Sequence, residues 1–298
     1  MLSKYLDPKN DVAFRKIFGS EKHKDILIHF LNDMVLFSNK EPIVDVTFLK
    51  TVQDPEIASK KESIVDVLCS DTHGVQYIVE MQVAESAGFE KRAQYYAAKA
   101  YSGQLNKGKE SDGQYKNLKE IIFVSISNFI LFPDKAAYKS DHVILDKVTG
   151  DHNLKDFSFT FLELPKFTKT LDDKLDNIVE KWCIFFKHAD EMNDSDLERL
   201  IANGDVIIKD AYVALDRFNW TEQELMAYEQ ELKRIRDNAA VEEAMKERSR
   251  AEGMAQGKAE GIAEIAMNLL EAGLEIEFIA KTTGLSAEEI KNLDKQKQ

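Results

Sequence analysis

The chain has 298 residues, of which 44% are hydrophobic, so it is long enough for one sizeable core with an appended segment. Two cysteines are too few for a disulfide framework, and no apolar run approaches the roughly 18 residues of a membrane span. Residues 1–10 lack the apolar stretch of a secretory signal. We therefore expect a cytoplasmic protein without a membrane segment.

The net charge of −13 is unevenly distributed along the chain. Residues 1–170 contain 23 Lys and Arg against 24 Asp and Glu, whereas residues 171–298 contain 17 against 29. These counts give net charges of −1 and −12. The near-neutral part is compatible with weak contacts to phosphates, and the acidic part argues against wrapping nucleic acid. We predict two domains with these boundaries.

The first predicted helical region covers residues 11–33, either as one helix or as two with a break at residues 19–20. Asn10 is a plausible N-cap. Asp11 and Arg15 are four residues apart, so their side chains are neighbours on one helix face. They form either an ordinary surface ion pair or part of a functional site.

After a predicted strand at about 43–52, two apolar runs at residues 64–69 and 77–83 flank a polar turn that ends in Gly74. Such runs, rich in β-branched residues, predict a hairpin with a three-residue loop. If residue 71 pairs with residue 75, Asp66 faces Glu80, and Gln82 follows Glu80 on the same face. A slip of one residue would move Asp66 to the other face.

Two carboxylates about 5 Å apart repel each other unless a cation lies between them or one is protonated. Carboxylate and amide oxygens suit a hard cation, so we predict that Asp66 and Glu80 bind Mg²⁺, or Mn²⁺, with Gln82 beside them. Glu56, in the loop before the hairpin, is a further candidate ligand. The alternative is an acidic outer face of a surface hairpin. Three large aliphatic residues on the same face favour a partly buried pocket: Ile64, Leu68 and Ile78.

The next predicted helix covers residues 86–108 and places Arg92, Tyr96 and Lys99 on one face. These side chains could contact phosphates, or they could form a solvated basic face. We expect a second set of side chains from this helix in the core: Tyr95, Ala98, Tyr101 and Leu105.

Two more strands are predicted, at 120–129 in the centre of the sheet beside the hairpin, and at 157–164 at an edge. From residue 171 the pattern is helical, with a long charged helix from residue 221.

In the long helix, glycines recur every fourth residue at Gly253, Gly257 and Gly261. Each costs about 1 kcal/mol relative to Ala, which indicates a compensating role. We interpret the stripe as a surface for self-association, and the alternative is a flexible connector. The tail at 274–293 resembles a helix-turn-helix fragment, and we favour an interaction hairpin over DNA binding because it carries little positive charge.

Taken together, these motifs resemble a known family. An Asp on one strand followed by Glu-x-Gln on the next is similar to the PD-(D/E)XK nucleases. The segments NDVAFRKIFG (10–19), VDVLCSDTHGVQYIVEMQ (65–82) and KRAQYYAAKAYSGQL (91–105), with the glycine-spaced helix, resemble the bacterial Rpn group of recombination-promoting nucleases and transposases. Two departures are Val65, where the superfamily has proline, and Gln82, where most members have lysine.

The resemblance implies an α/β fold: a restriction-endonuclease-like αβββαβ core with a mixed central sheet over residues 1–170, and a helical extension over residues 171–298. It implies a Mg²⁺-dependent DNA endonuclease with a role in recombination, mobile elements or defence. Asp66, Glu80 and Gln82 would be catalytic. Five further residues would contact phosphates or support the site: Asp11, Arg15, Arg92, Tyr96 and Lys99. The alternative is a catalytically inactive fold that binds a partner protein, since Gln82 cannot supply the charge of a lysine.

Overall fold

The computed structural model describes residues 3–35, 41–53, 63–105, 115–202 and 204–295. Glu56, the further candidate ligand, lies outside these residues. The chain forms two compact units, Met1–Glu231 and Leu232–Gln298. The first unit therefore contains both the sheet and the helices between residues 171 and 221. The domain boundary at residue 170 stays a prediction.

In the described residues of the first unit, two helices precede five strands, one helix and three further strands follow, and the rest is helical. The helices in the described residues are α1 (Asp11–Phe18), α2 (Lys24–Met34), α3 (Phe89–Gly103), α4 (Ile178–His188), α5 (Asp194–Leu200), α6 (Val206–Leu215), α7 (Glu222–Glu271), α8 (Ile276–Thr283) and α9 (Ala287–Lys295). The strands there are β1 (Val46–Phe48), β2 (Val52–Gln53), β3 (Ser63–Ile64), β4 (Val67–Asp71), β5 (Gln76–Gln82), β6 (Ile121–Ser127), β7 (Lys139–Ile144) and β8 (Leu154–Glu163). None of the described helices is long and apolar enough to cross a membrane.

A mixed six-stranded sheet forms the centre of this unit, in the order β1-β4-β5-β6-β8-β7. Strands β1, β4 and β5 are antiparallel, β5, β6 and β8 are parallel, and β7 pairs antiparallel with β8. Strands β2 and β3 form a separate two-stranded sheet. The predicted α/β fold with a mixed central sheet and a helical C-terminal region is confirmed.

Helix α3 packs on one face of the central sheet through small residues. Its buried residues are Phe89, Ala93, Ala97 and Ala100, and they contact a cluster that includes Ile78 of β5 and Phe123 of β6. The prediction that Tyr95 and Ala98 lie in the core was wrong, because both are exposed. Tyr96 and Tyr101 pack against the margin of this cluster, whereas Tyr95 and Ala98 lie on the face of the helix turned away from the sheet.

A second group of helices packs around an aromatic core: α1, α2, α4 and α6 contribute to it. Its rings include Phe18, Phe30, Trp182 and Phe186, with centroids 5.0–6.4 Å apart. Helix α1 ends at Phe18, and Gly19, at the predicted break, is its C-cap. A Cβ on Gly19 would lie 2.9 Å from the Arg15 carbonyl oxygen of the same helix and 3.5 Å from Cγ2 of Val67. The end of α1 therefore lies beside the start of β4.

The prediction of an edge strand at 157–164 was wrong in its position. Strand β8 lies between β6 and β7, and β7 forms the edge within the segment that had no predicted strand. Strand β7 has the sequence KSDHVI and half-buried or exposed side chains. An edge strand needs little apolar character, so its hydrophobic pattern gave no signal.

The second unit is helical. Buried Ala266 of α7, Ile279 of α8 and Ile290 of α9 form its small core. Gly284 ends α8 with φ of 78°, and the Ser286 and Glu289 side chains exchange hydrogen bonds with each other's backbone amides at the start of α9. This arrangement matches the predicted turn between the two terminal helices.

Candidate active site

The β4–β5 hairpin brings the two predicted carboxylates together. Val67 lies opposite Val79 and Leu68 opposite Ile78, and the Asp71 amide donates to the Val75 carbonyl at 3.0 Å. The predicted register is therefore confirmed. Gly74 closes the loop with φ of 82°, in the left-handed region that the predicted turn requires.

Continuing this register by one residue places Asp66 opposite Glu80. The Asp66 amide donates to Oε1 of Glu80 at 3.2 Å, and the Met81 amide donates to Oδ2 of Asp66 at 3.0 Å. The backbone of each strand thus holds the carboxylate of the other. These hydrogen bonds hold the two side chains next to each other.

Asp66 lies in a short break between β3 and β4, preceded by buried Val65. The Val65 amide donates to the Thr51 carbonyl at 3.2 Å. Proline has no amide hydrogen, so the superfamily's residue could not make this bond. The departure from the family pattern therefore has a local structural reason.

Glu80 is almost completely buried, with 3% of its surface exposed. Burial, and then the neighbouring charge of Asp66, raise the pKa of Glu80 to about 8. At neutral pH this carboxyl group therefore holds a proton in the metal-free protein, which relieves the repulsion between the pair.

Gln82 connects Glu80 to α3. Its Nε2 donates to Oε2 of Glu80 at 3.0 Å, and its Oε1 accepts a hydrogen bond from Nη2 of Arg92. The amide orientation is fixed from both sides. Arg92 also stacks its guanidinium over the Phe89 ring, 4.9 Å from the centroid.

Helix α1 supplies a second cation. Nη2 of Arg15 donates to Oδ1 of Asp66 at 2.9 Å, and half of the Arg15 side chain stays exposed. Asp11, one turn earlier, adds a negative charge that acts on Arg15. Arg15 therefore reaches the carboxylates from the first helix, as the resemblance implied.

The remaining two candidates lie on α3. Burial raises the pKa of the Tyr96 hydroxyl, and the charges of Arg92, Glu80 and Asp66 also act on it, so Tyr96 lies within electrostatic range of the carboxylates. Lys99 follows on the same helix and is half-buried. Its role as a phosphate contact stays a prediction.

Ser125 was not predicted from the sequence to belong to the site. The structure places it beside Glu80, on the neighbouring strand β6. It is the β6 register partner of Glu80 and is 1% exposed. Within the described residues, neither Oγ of Ser125 nor Nε of Arg92 has a hydrogen-bond partner. The available signal was the pair Ser125 and Ser127, which interrupts an otherwise apolar strand with a period of two.

The donor set determines whether a cation fits here. In the part of the chain that the structure describes, no group of three or more His, Cys, Asp or Glu is placed to hold a metal ion. Asp66 and Glu80 form a pair, and one or two carboxylates are the protein ligands that Mg²⁺ commonly takes, because it keeps several waters. The residues therefore fit a Mg²⁺-type cation and do not fit a closed protein cage.

Family comparisons agree with this geometry. A family model described as PD-(D/E)XK nuclease family transposase matches residues 8–244, and a second, described as the C-terminal HTH domain of the Rpn/YhgA-like nuclease family, matches residues 259–295. No curated protein and no solved structure matches the chain. The chain therefore belongs to the PD-(D/E)XK nuclease family of transposases and carries the C-terminal helix-turn-helix domain of the Rpn/YhgA-like group.

Proposed function

We propose that the protein is a metal-dependent DNA endonuclease in which Asp66 and Glu80 bind Mg²⁺ or Mn²⁺. One observation carries this proposal: the β4–β5 register holds the two carboxylates side by side in a mostly buried position. A buried like-charge pair is costly unless it is protonated or neutralised by a cation. A carboxyl group whose pKa is raised by burial and by a charged neighbour, as that of Glu80 is, is typical of functional sites.

A divalent cation supplies two things when bound: it polarises a phosphate oxygen and lowers the pKa of a bound water. The protein's part is to orient the groups around it. Asp66 and Glu80 would hold the cation, with Arg15 and a proton as the competitors for these carboxylates. Gln82, held by Glu80 and Arg92, is placed to accept a hydrogen bond from the attacking water or donate one to it.

The basic residues around the pair are proposed phosphate contacts. Arg92 uses one terminal nitrogen for Gln82, so other guanidinium N–H groups can donate to a phosphate. Half-exposed Arg15 is placed to do the same once a cation replaces it at Asp66. Lys99 would extend the contact along α3, and Tyr96 and Asp11 would support the site without touching DNA.

DNA is also the expected partner of the second unit, because helix-turn-helix domains bind DNA. The family match covers α8 and α9. We therefore favour DNA binding for this part of the chain over the interaction hairpin that its low positive charge indicated. We propose a role in recombination, mobile elements or defence, as the transposase family suggests. A cytoplasmic location agrees with the two free cysteines, Cys69 and Cys183, which are buried and unpaired.

We also propose that the protein self-associates through α7. Gly253 and Gly257 lie on an exposed, polar stretch of this helix, where a smooth strip of small residues would let another helix approach. The close approach of the backbones would compensate for the low helix propensity of glycine.

A second candidate function is a nuclease-like fold that binds a partner protein without cleaving DNA. The observation in its favour is Gln82, which cannot provide the positive charge of the usual lysine. Calorimetric titration with Mg²⁺ or Mn²⁺ separates the two functions. A nuclease predicts binding that depends on Asp66, and an inactive interaction module predicts none.

Cleavage of supercoiled plasmid DNA in Mg²⁺ tests the proposal directly. We expect Asp66→Ala to lower the rate by at least about 100-fold, because it removes a metal ligand. The matched control is Asp172→Ala, which removes an exposed carboxylate paired with Arg199 and should leave the rate unchanged. Both variants should keep the wild-type circular dichroism spectrum. Equal cleavage by wild type and Asp66→Ala would refute the proposal.

A further inference from the structure

We propose that Ser125 is a positioning residue that holds the Glu80 carboxylate in its metal-binding orientation by donating a hydrogen bond to it. This inference rests on the proposed function, because it assigns a role in the same metal site. Ser125 lies on β6, outside the hairpin that carries Asp66, Glu80 and Gln82.

The sheet register places the two side chains together. Strands β5 and β6 are parallel, with Ile78 paired to Phe123 and, two residues later, Glu80 paired to Ser125. Ile78 and Phe123 both face α3. Side chains two residues apart on a strand share a face, and neighbouring strands are about 4.8 Å apart. Ser125 and Glu80 therefore point to the same face in adjacent positions.

The hydroxyl group of Ser125 is buried without a hydrogen-bond partner among the described residues. Only 1% of the residue is exposed, and its Oγ has no hydrogen-bond partner among the described residues. A buried hydroxyl without a partner destabilises a fold and is rare for that reason. Ser127, two positions later on the same strand, is also buried, but its Oγ donates to the Phe129 carbonyl at 2.9 Å. Ser127 is thus explained by local structure, and Ser125 is not.

Glu80 has the acceptor capacity that this donor requires. Its Oε1 accepts from the Asp66 amide and its Oε2 from Gln82, and a carboxylate has about four acceptor sites. Both of these hydrogen bonds come from the hairpin or from the residue that precedes β4. A hydrogen bond from β6 would hold the carboxylate from the other side when it is ionised and bound to a cation. Such outer contacts orient metal ligands and typically change metal affinity by about 10- to 100-fold.

The test compares four variants by calorimetric titration of the full-length, metal-free protein with Mn²⁺, and by thermal unfolding of the same samples. Ser125→Ala removes the hydroxyl, and Ser125→Cys keeps nearly the same volume with a much weaker donor. Ser127→Ala is the matched control on the same strand. Asp66→Ala reports whether binding occurs at the proposed site.

We expect Ser125→Ala and Ser125→Cys to weaken Mn²⁺ binding by about tenfold. The unfolding temperature of the metal-free Ser125→Ala protein should not fall, since it loses no internal hydrogen bond. Ser127→Ala should show the reverse, with a lower unfolding temperature and unchanged affinity. Unchanged affinity in Ser125→Ala, or weaker binding together with a lower unfolding temperature, would overturn the inference alone. Absence of Asp66-dependent binding in the wild type would overturn the proposed function as well.

Discussion

The raised pKa of the buried Glu80 side chain affects both the stability of the protein and its binding of metal ions. Burial and the charge of Asp66 raise this pKa to about 8, far above the ordinary glutamate value of 4.5. In the unfolded chain the same group loses its proton near that ordinary value. Between these two values the folded state therefore holds a proton that the unfolded state has released.

The stability of the metal-free protein should depend on pH through Glu80. Because the folded state binds more protons in this window, the free energy of unfolding of the metal-free protein should fall as pH rises from about 5 to 9, by on the order of a few kcal/mol. Chemical denaturation at a series of pH values measures it. Glu80→Gln, which cannot ionise, should flatten this dependence. A wild-type stability that rises over the same range would contradict the assignment.

The same proton competes with the cation. A metal must displace it from Glu80, so the affinity for Mg²⁺ should increase with pH up to about 8 and then level off. Titration calorimetry in several buffers would show proton release on binding. Metal binding with no proton release at pH 7 would mean that Glu80 is already ionised.

Arg15 should compete with the cation for Asp66. The Arg15 guanidinium donates a hydrogen bond to Oδ1 of Asp66, and its positive charge would repel an incoming cation. Arg15→Ala should therefore tighten Mn²⁺ binding by about fivefold, the equivalent of about 1 kcal/mol. The same change should weaken DNA binding, because it removes a phosphate contact. Arg15→Lys is the charge-conserving control and should bind DNA better than Arg15→Ala. Weaker metal binding in Arg15→Ala would show that Arg15 supports the ligand instead of competing with the cation.

At the scale of elements, the hairpin could be predicted from sequence because three local signals agree. Two β-branched runs, a three-residue loop and a glycine at the left-handed position together predict the register to within one residue, and the structure shows the predicted pairing. The polar residues of the runs then fall on one face. What the sequence could not supply was the contact of Arg15 with Asp66 and of Arg92 with Gln82, since both depend on how helices pack on the sheet.

The hairpin prediction can be tested at its turn. Gly74 has φ of 82°, and a Cβ there would lie 3.3 Å from Cγ of Lys119. Gly74→Ala should therefore destabilise the protein by about 1–2 kcal/mol. The control is Gly103→Ala in α3, where nothing lies within 4 Å of the added methyl and helix propensity favours alanine. Urea denaturation should separate the two variants, and equal stabilities would contradict this account of the turn.

The missed elements have a common cause. The β7 edge strand and the alanine face of α3 carry few large apolar residues, so a hydrophobic pattern alone does not mark them. The position of Ser125 beside Glu80 also could not be predicted from the sequence. Its significance lies in its register with Glu80 on a strand that is 45 residues further along the chain, and only the sheet order reveals that neighbour.

The chain combines a nuclease-family unit with a smaller helical unit that carries the helix-turn-helix domain. Residues 259–295 contain 3 Lys and Arg against 8 Asp and Glu, so DNA binding by this domain has to overcome a negative charge. We therefore expect few phosphate contacts and a shallow dependence of its DNA affinity on salt. The charge asymmetry was visible in the sequence. The resemblance of the tail to a helix-turn-helix fragment was also visible there, but its assignment to a DNA-binding domain needed the family match, because the short terminal helices contain little positive charge.

Self-association through α7 is tested by replacing Gly253, Gly257 and Gly261 together with alanine. Among the described residues, nothing beyond the neighbouring turns of the same helix lies within 4 Å of the added methyl groups, so the helix should be stabilised by up to about 1 kcal/mol per site. Any loss of association must then come from contact with another chain. Sedimentation velocity should show a smaller species for the triple variant than for the wild type. An unchanged sedimentation profile would mean that the stripe is not an interface.

The central claim is that Asp66 and Glu80 share one divalent cation, and a crystal structure with Mn²⁺ tests it most directly. The claim predicts an anomalous scattering peak within about 2.3 Å of an oxygen of each carboxylate, with Arg15 moved away from Asp66. A well-ordered site with no such peak, in protein that still cleaves DNA in Mn²⁺, would contradict it.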